Sequence, residues 1–106
     1  MGEFRLVLTT VPDEELGRRI ARTLVEERLA ACVNVSPAVL SFYWWDKKLV
    51  EDREFILLVK TKASILERLE ARLKELHPYQ VPEFIALPID SGSPEFLGWL
   101  DAETRD

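Results

Sequence analysis

The chain has 106 residues, of which 47% are apolar and 31% charged, and its formal net charge is −5. That length suits one domain, spanning 1–106, built on one core. The acidic balance excludes nonspecific nucleic-acid binding, which needs a basic patch, and no apolar run approaches the roughly 18 residues of a membrane helix. The opening Met1-Gly2-Glu3-Phe4-Arg5 has no leader pattern, and Leu6 does not complete a myristoylation signal. A single cysteine, Cys32, cannot form an internal disulfide, and this points to a reducing, cytoplasmic compartment.

Residues 4–10 (Phe-Arg-Leu-Val-Leu-Thr-Thr) predict a strand, stopped by Val11-Pro12. Asp13-Glu14-Glu15 puts acids in the first turn of a helix, where they favour its dipole, and Leu16, Ile20 and Leu24 recur on one face of it. Residues 31–35 predict a second strand, Ser36-Pro37 a bulge or bend, and residues 38–45 its resumption. In the resumed part Val39, Ser41, Tyr43 and Trp45 share one face, and Leu40, Phe42 and Trp44 share the other. Asp46-Lys47 predicts a two-residue turn without the usual Gly, and residues 49–60 a long partner strand. Ser64-Ile65-Leu66-Glu67 fits a capping box before a helix carrying Ile65, Leu66, Leu69, Leu73 and Leu76 on one face. Residues 83–89 predict a fourth strand, and Pro94 begins a short last helix.

This second helix runs into His77-Pro78-Tyr79-Gln80-Val81-Pro82-Glu83, which ends it and holds the chain's one His and two of its six Pro. Each Pro fixes φ, removes a donor and biases the preceding residue away from helix. The segment therefore predicts a stiff, extended connector presenting His77, Tyr79 and Glu83 in fixed directions. Its plainer function is a helix stop followed by a strand.

The order β-α-β-β-α-β plus a terminal helix predicts an α+β, ferredoxin-like fold, an antiparallel sheet with two helices on one face. Yet Phe55-Ile56-Leu57-Leu58-Val59 is apolar at every position, and Phe42-Tyr43-Trp44-Trp45 is aromatic throughout. Both faces of such strands call for burial. A homo-oligomer that covers the second face follows from the pattern.

Leu29-Ala30-Ala31-Cys32-Val33-Asn34, Pro37, Ser41-Phe42-Tyr43-Trp44-Trp45, Lys60-Thr61, the His77–Glu83 connector and Trp99-Leu100 stand in an order and spacing that resembles the CutA family of divalent-cation tolerance proteins. The opening Thr9-Thr10-Val11-Pro12-Asp13-Glu14 fits as well, so the resemblance spans nearly the whole chain. It implies a tight homotrimer with sheets packed around a threefold axis, as in PII signalling proteins, and a link to copper or other divalent cations. Three positions depart from the family pattern. Thr9 replaces a Cys proposed as a copper ligand in some members, Leu76 replaces a second His, and Lys47 replaces a turn Gly.

His77, Glu83 and Cys32 are the candidate metal ligands. Imidazole suits copper, zinc and nickel, and a thiolate suits Cu(I). One His and one Cys 45 positions apart do not make a ligand motif by themselves. The alternatives are that Cys32 is a small buried hydrophobe and that His77 caps its helix. Lys60, Tyr79, Trp45 and Tyr43 are expected to shape an intersubunit pocket with Glu83; the alternative is a structural Lys60–Glu83 pair at a subunit interface. No nucleophile–base constellation or phosphate-binding Gly loop marks an enzyme. The expected function is a non-enzymatic, homotrimeric, copper-related metal-binding protein. Its alternatives are a PII-like sensor of a small anionic metabolite and a trimeric scaffold for an unknown protein partner.

Overall fold

Alternation in the first strand decides which side of the sheet is covered. In this computed structural model, which describes residues 3–106, β1 (Phe4–Val11) buries Val7, Thr9 and Val11 against the helices. It leaves Leu6, Leu8 and Thr10 half-buried on the opposite face. The lipidation reading of Met1-Gly2 lies outside the described residues.

Helix α1 (Glu14–Glu26) starts where Asp13 leaves the helical conformation and its side chain accepts the Leu16 N–H at 2.8 Å. Gly17 lets the helix lie close on the sheet, since a Cβ there would meet Val11 Cγ2 at 3.2 Å. Within α1, Arg22 and Glu26 form an ion pair, both exposed.

Strands β2 (Cys32–Trp45) and β3 (Lys48–Lys62) form a long antiparallel hairpin. Its register slips between Val35↔Leu57 and Ala38↔Phe55. The expected bulge at Ser36-Pro37 is therefore present, and Ser36 Oγ accepts the Ile56 N–H at 2.8 Å that the ladder cannot satisfy there. Asp46 and Lys47 close the hairpin with φ of 51° and 62°. That is the primed turn whose twist suits a hairpin, reached without Gly.

The capping box is replaced by another arrangement. Residues Ala63–Ile65 form a 3-10 turn, α2 covers Leu66–Leu76 without a side-chain cap, and Ser64 Oγ donates instead to the Asp106 carboxylate. The fourth strand, β4 (Ile85–Pro88), is shorter than the pattern suggested, because Pro82 and Pro88 bracket the segment and limit its ladder. Helix α3 (Pro94–Ala102) begins at Ser93, whose side chain accepts the Phe96 N–H.

All pairings are antiparallel and the strand order is β2-β3-β1-β4, the ferredoxin-like arrangement. Ile20 and Leu24 of α1 and Leu69 and Leu73 of α2 bury against Val7, Leu57 and Val59, so both helices cover one face. The other face carries Ile56, Leu58, Ile85 and Leu87, the last two exposed.

At about 3.3 Å per residue, β2 and β3 are longer than the helices they carry, and the molecule extends over 44 × 25 × 24 Å. The far end of the hairpin is an arm. Leu40, Phe42, Trp44 and Leu49 along it are 61–72% exposed, far more apolar surface than single scattered residues present.

Candidate functional site

The bulge decides what the arm shows to the connector. The extra residue at Ser36-Pro37 restores pairing with Ala38 opposite Phe55, which puts Ser41, Tyr43 and Trp45 on the same face as Asp52 and Glu54. The His77–Glu83 connector crosses that face. Between them lies an open cavity of about 820 Å³. Thr10, Ser41, Tyr43, Trp45 and Glu54 line its sheet side, and residues 78–83 line the other.

His77 fastens the connector. Its backbone N–H donates to Leu73 O at 2.9 Å, ending α2. The side chain is 7% exposed, and both ring nitrogens are engaged. The carbonyl oxygen of Thr10, 2.6 Å from Nε2, can only accept, so Nε2 carries the proton. Nδ1 accepts the Tyr79 N–H at 3.1 Å. The imidazole thus ties the end of α2 to β1 and to the connector, and its ring lies 4.7 Å from that of Tyr79.

So placed, Tyr79 reaches across to β3, where its hydroxyl donates to Glu54 Oε2 at 2.8 Å. Glu54 is only 5% exposed, and burying a carboxylate is costly unless it is hydrogen-bonded. Burial, and after it the Glu54 bond, push the Tyr79 phenol well above its ordinary value. Tyr43 repeats the motif, donating to Asp52 Oδ2 at 2.5 Å, and that bond raises its phenol to about 12. Glu83 stands exposed at the rim. Partial withdrawal from water, and secondarily the charge of Glu54, raise its carboxyl. No Lys or Arg lines the cavity, so its fixed charge is negative.

Of the expected site residues, Tyr79, Tyr43, Trp45 and Glu83 line this one cavity. Lys60 does not: its ammonium lies 2.7 Å from Asn34 Oδ1 and 3.9 Å from Cys32 Sγ. His77, Glu83 and Cys32 are not gathered into one centre. Cys32 pairs with Lys60 while Thr10, the partner of His77, pairs with Ile56, four residues and about 13 Å away along β3. Among the described residues no three His, Cys, Asp or Glu side chains group as a metal site. Thr9 points into the core with its hydroxyl unpartnered, on the face opposite Thr10, so its position does not reach the cavity.

The sequence reading missed Glu54 and Asp52. Their signal was alternation: in Glu51-Asp52-Arg53-Glu54 these two share a face with Tyr43 once the bulge is counted, and Glu54 directly precedes an apolar run.

The chain is thus a small α+β protein of ferredoxin-like fold with an acidic, aromatic-walled cleft on its sheet. The sequence pattern of the CutA1 divalent ion tolerance protein matches residues 5–103, and the chain belongs to that family. The divalent-cation tolerance protein CutA of Thermus thermophilus is 54% identical over 99 residues, covering 93% of this chain and 96% of the relative. The rice chloroplastic CutA 1 is 46% identical and covers 95% of this chain, which spans 57% of that longer relative. Among solved structures, the Thermus thermophilus protein superposes with a TM-score of 0.94 at 53% identity, covering 96% of this chain and 99% of the other. A protein from Archaeoglobus fulgidus described as periplasmic superposes with a TM-score of 0.91 at 37% identity, covering 94% and 97%. No helix among the described residues is long and apolar enough to cross a membrane.

Proposed function

We propose that this is a non-enzymatic, homotrimeric protein of the cytoplasm that binds copper or another divalent cation as cargo, in the cleft between the hairpin arm and the connector. The observation that carries the reading is the charge of the cleft: Glu54 and Glu83 face it, and no cationic side chain lines it. Partial withdrawal from water, and after it the charge of Glu54, raise the carboxyl of Glu83, and a bound cation would offset both. Copper leads divalent affinities for most donor sets. Two carboxylates are fewer ligands than a closed site needs, so water or a neighbouring subunit would complete the set and binding would be exchangeable. His77 would join only by releasing the Tyr79 N–H, and Cys32 only from another subunit.

The trimer is supported by the apolar arm and by the uncovered sheet face. Leu40, Phe42, Trp44 and Leu49 on the one, with Ile85 and Leu87 on the other, are the surfaces a symmetric neighbour would cover. The negative cleft, with Lys60 elsewhere, disfavours an anionic metabolite as its ligand.

The test is calorimetric titration of Cu(II) and Mn(II) into the protein, with the assembly measured by light scattering. Saturable binding by a threefold assembly, lost in Glu83→Gln and weakened in Glu54→Gln, is expected. Equal binding in all three proteins would move the cation elsewhere, and a monomer at micromolar concentration would end the trimer reading.

A further inference from the structure

The cleft is larger and more aromatic than a metal ion requires. A cavity of about 820 Å³ is of a size that holds small organic molecules. A bare ion would use its carboxylates and leave the rest of the wall idle. Trp45 and Val81, which line it, are 51% and 67% exposed. Apolar side chains stand on both sides of one negative cleft, a wall that suits a ligand with an apolar body.

We propose that the cleft takes an organic ammonium ion, its charged nitrogen between Glu54 and Glu83 and its apolar body against Trp45, Tyr43, Tyr79 and Val81. The inference rests on the cleft being a cation site and names the class of cation. An ammonium group needs no coordination number, so two carboxylates are enough for it where they are few for a metal. Aromatic faces attract such a cation and add nothing to a hydrated metal ion. The donors that a soft metal prefers are absent: Cys32 lies on another part of the sheet, and both nitrogens of His77 are engaged. The Tyr79–Glu54 bond preorganises the floor, so the ligand meets a carboxylate already fixed in place. A primary amine would also find hydrogen-bond acceptors at Ser41 and Gln80, which line the same cavity.

Benzyltrimethylammonium, its uncharged relative benzyl alcohol, and Mn(II) alone are titrated into the assembled protein, in its native form and as Trp45→Ala and Glu83→Gln, each checked for its native circular dichroism. The expected result is saturable ammonium binding with no benzyl alcohol binding. Trp45→Ala should weaken the ammonium roughly three- to thirtyfold and leave Mn(II) unchanged, while Glu83→Gln should weaken both. Mn(II) binding that depends on Glu83, with no ammonium binding, overturns this inference and leaves the cation site standing. If neither cation binds, both fall. Benzyl alcohol binding as well as the ammonium would make the cleft merely apolar and overturn the inference too, as would an ammonium affinity unaffected by Trp45→Ala.

Discussion

Removing one hydroxyl tests the construction of the cleft. In Tyr79→Phe the ring that lies 4.7 Å from His77 is kept, and so is the backbone N–H that donates to Nδ1. Only the 2.8 Å bond to Glu54 is lost. A hydrogen bond to a charged acceptor contributes about 1.5–3 kcal/mol net. The upper part of that range applies where the acceptor cannot turn to water, and Glu54 is 5% exposed. A loss of about 2 kcal/mol is expected, which lowers the melting midpoint by roughly 8–16 °C for a domain of this size. Guanidinium unfolding at one fixed protein concentration measures it, because assembly would make the midpoint concentration-dependent. A double-mutant cycle with Glu54→Leu isolates the pair: once the carboxylate is gone, removing the hydroxyl should cost about 1–2 kcal/mol less. A change below about 0.5 kcal/mol in Tyr79→Phe, or strict additivity in the cycle, would refute the view that Tyr79 satisfies a buried carboxylate.

Three further outcomes follow from single groups. Both tyrosines of the chain are raised, Tyr43 to about 12 by its bond to Asp52 and Tyr79 by burial and then Glu54. Unfolded phenols titrate near 10, so the stability these bonds supply is complete below about pH 10 and is lost as pH rises through the higher folded values. Absorbance at 295 nm should show almost no tyrosinate at pH 10 in the folded protein, and half-titration of either residue there would contradict the assigned bonds. Lys47, at φ 62°, holds a left-handed conformation that costs a side chain about 1 kcal/mol; Lys47→Gly should raise the unfolding free energy by up to that amount, and a loss would mean that the lysine side chain makes a stabilising contact. Thr9 is fully buried with its hydroxyl oxygen unpartnered, so the isosteric Thr9→Val should stabilise by about 1–2 kcal/mol, and no gain on thermal melting would mean the hydroxyl has a partner.

What could be read from the sequence, and what could not, divides along one physical line. Local rules located the elements. Acids and Asp13 opened α1, two prolines ended α2 and held the connector out of helix, and Ser36-Pro37 broke the ladder where the register slips. The alternation in residues 39–45 correctly grouped Ser41, Tyr43 and Trp45, because a period of two needs no knowledge of the partner strand. The ends of elements were less legible. The capping box failed because Ser64 found a carboxylate 42 positions away at Asp106, a competitor that no local pattern reveals. The last strand was overextended for a related reason: its ladder depends on pairing with β1 from Leu8 to Arg5, and that register is set by the sheet.

The site shows the same division more sharply. Tyr43, Trp45, Tyr79 and Glu83 were expected together and do share the cavity, since two of them lie on one strand face and two on one rigid connector. Lys60 was placed with them because a charge ending an apolar run invites a functional reading. Along β3, however, Lys60 lies six residues from Glu54, about 20 Å, and it is the register of Cys32 opposite Lys60 that gives it Asn34 instead. The residue that completes the floor, Glu54, was overlooked because alternation gives its face but not its burial, which is tertiary. Nothing in Asp52-Arg53-Glu54-Phe55 says which acid will be buried. That is decided when the His77 imidazole, bonded on both nitrogens, fixes the connector and lets the Tyr79 hydroxyl reach β3. The only histidine of the chain is therefore spent within the protomer on building the cleft, and in the protomer the charge available to a cation comes from the carboxylates that the histidine helps to position.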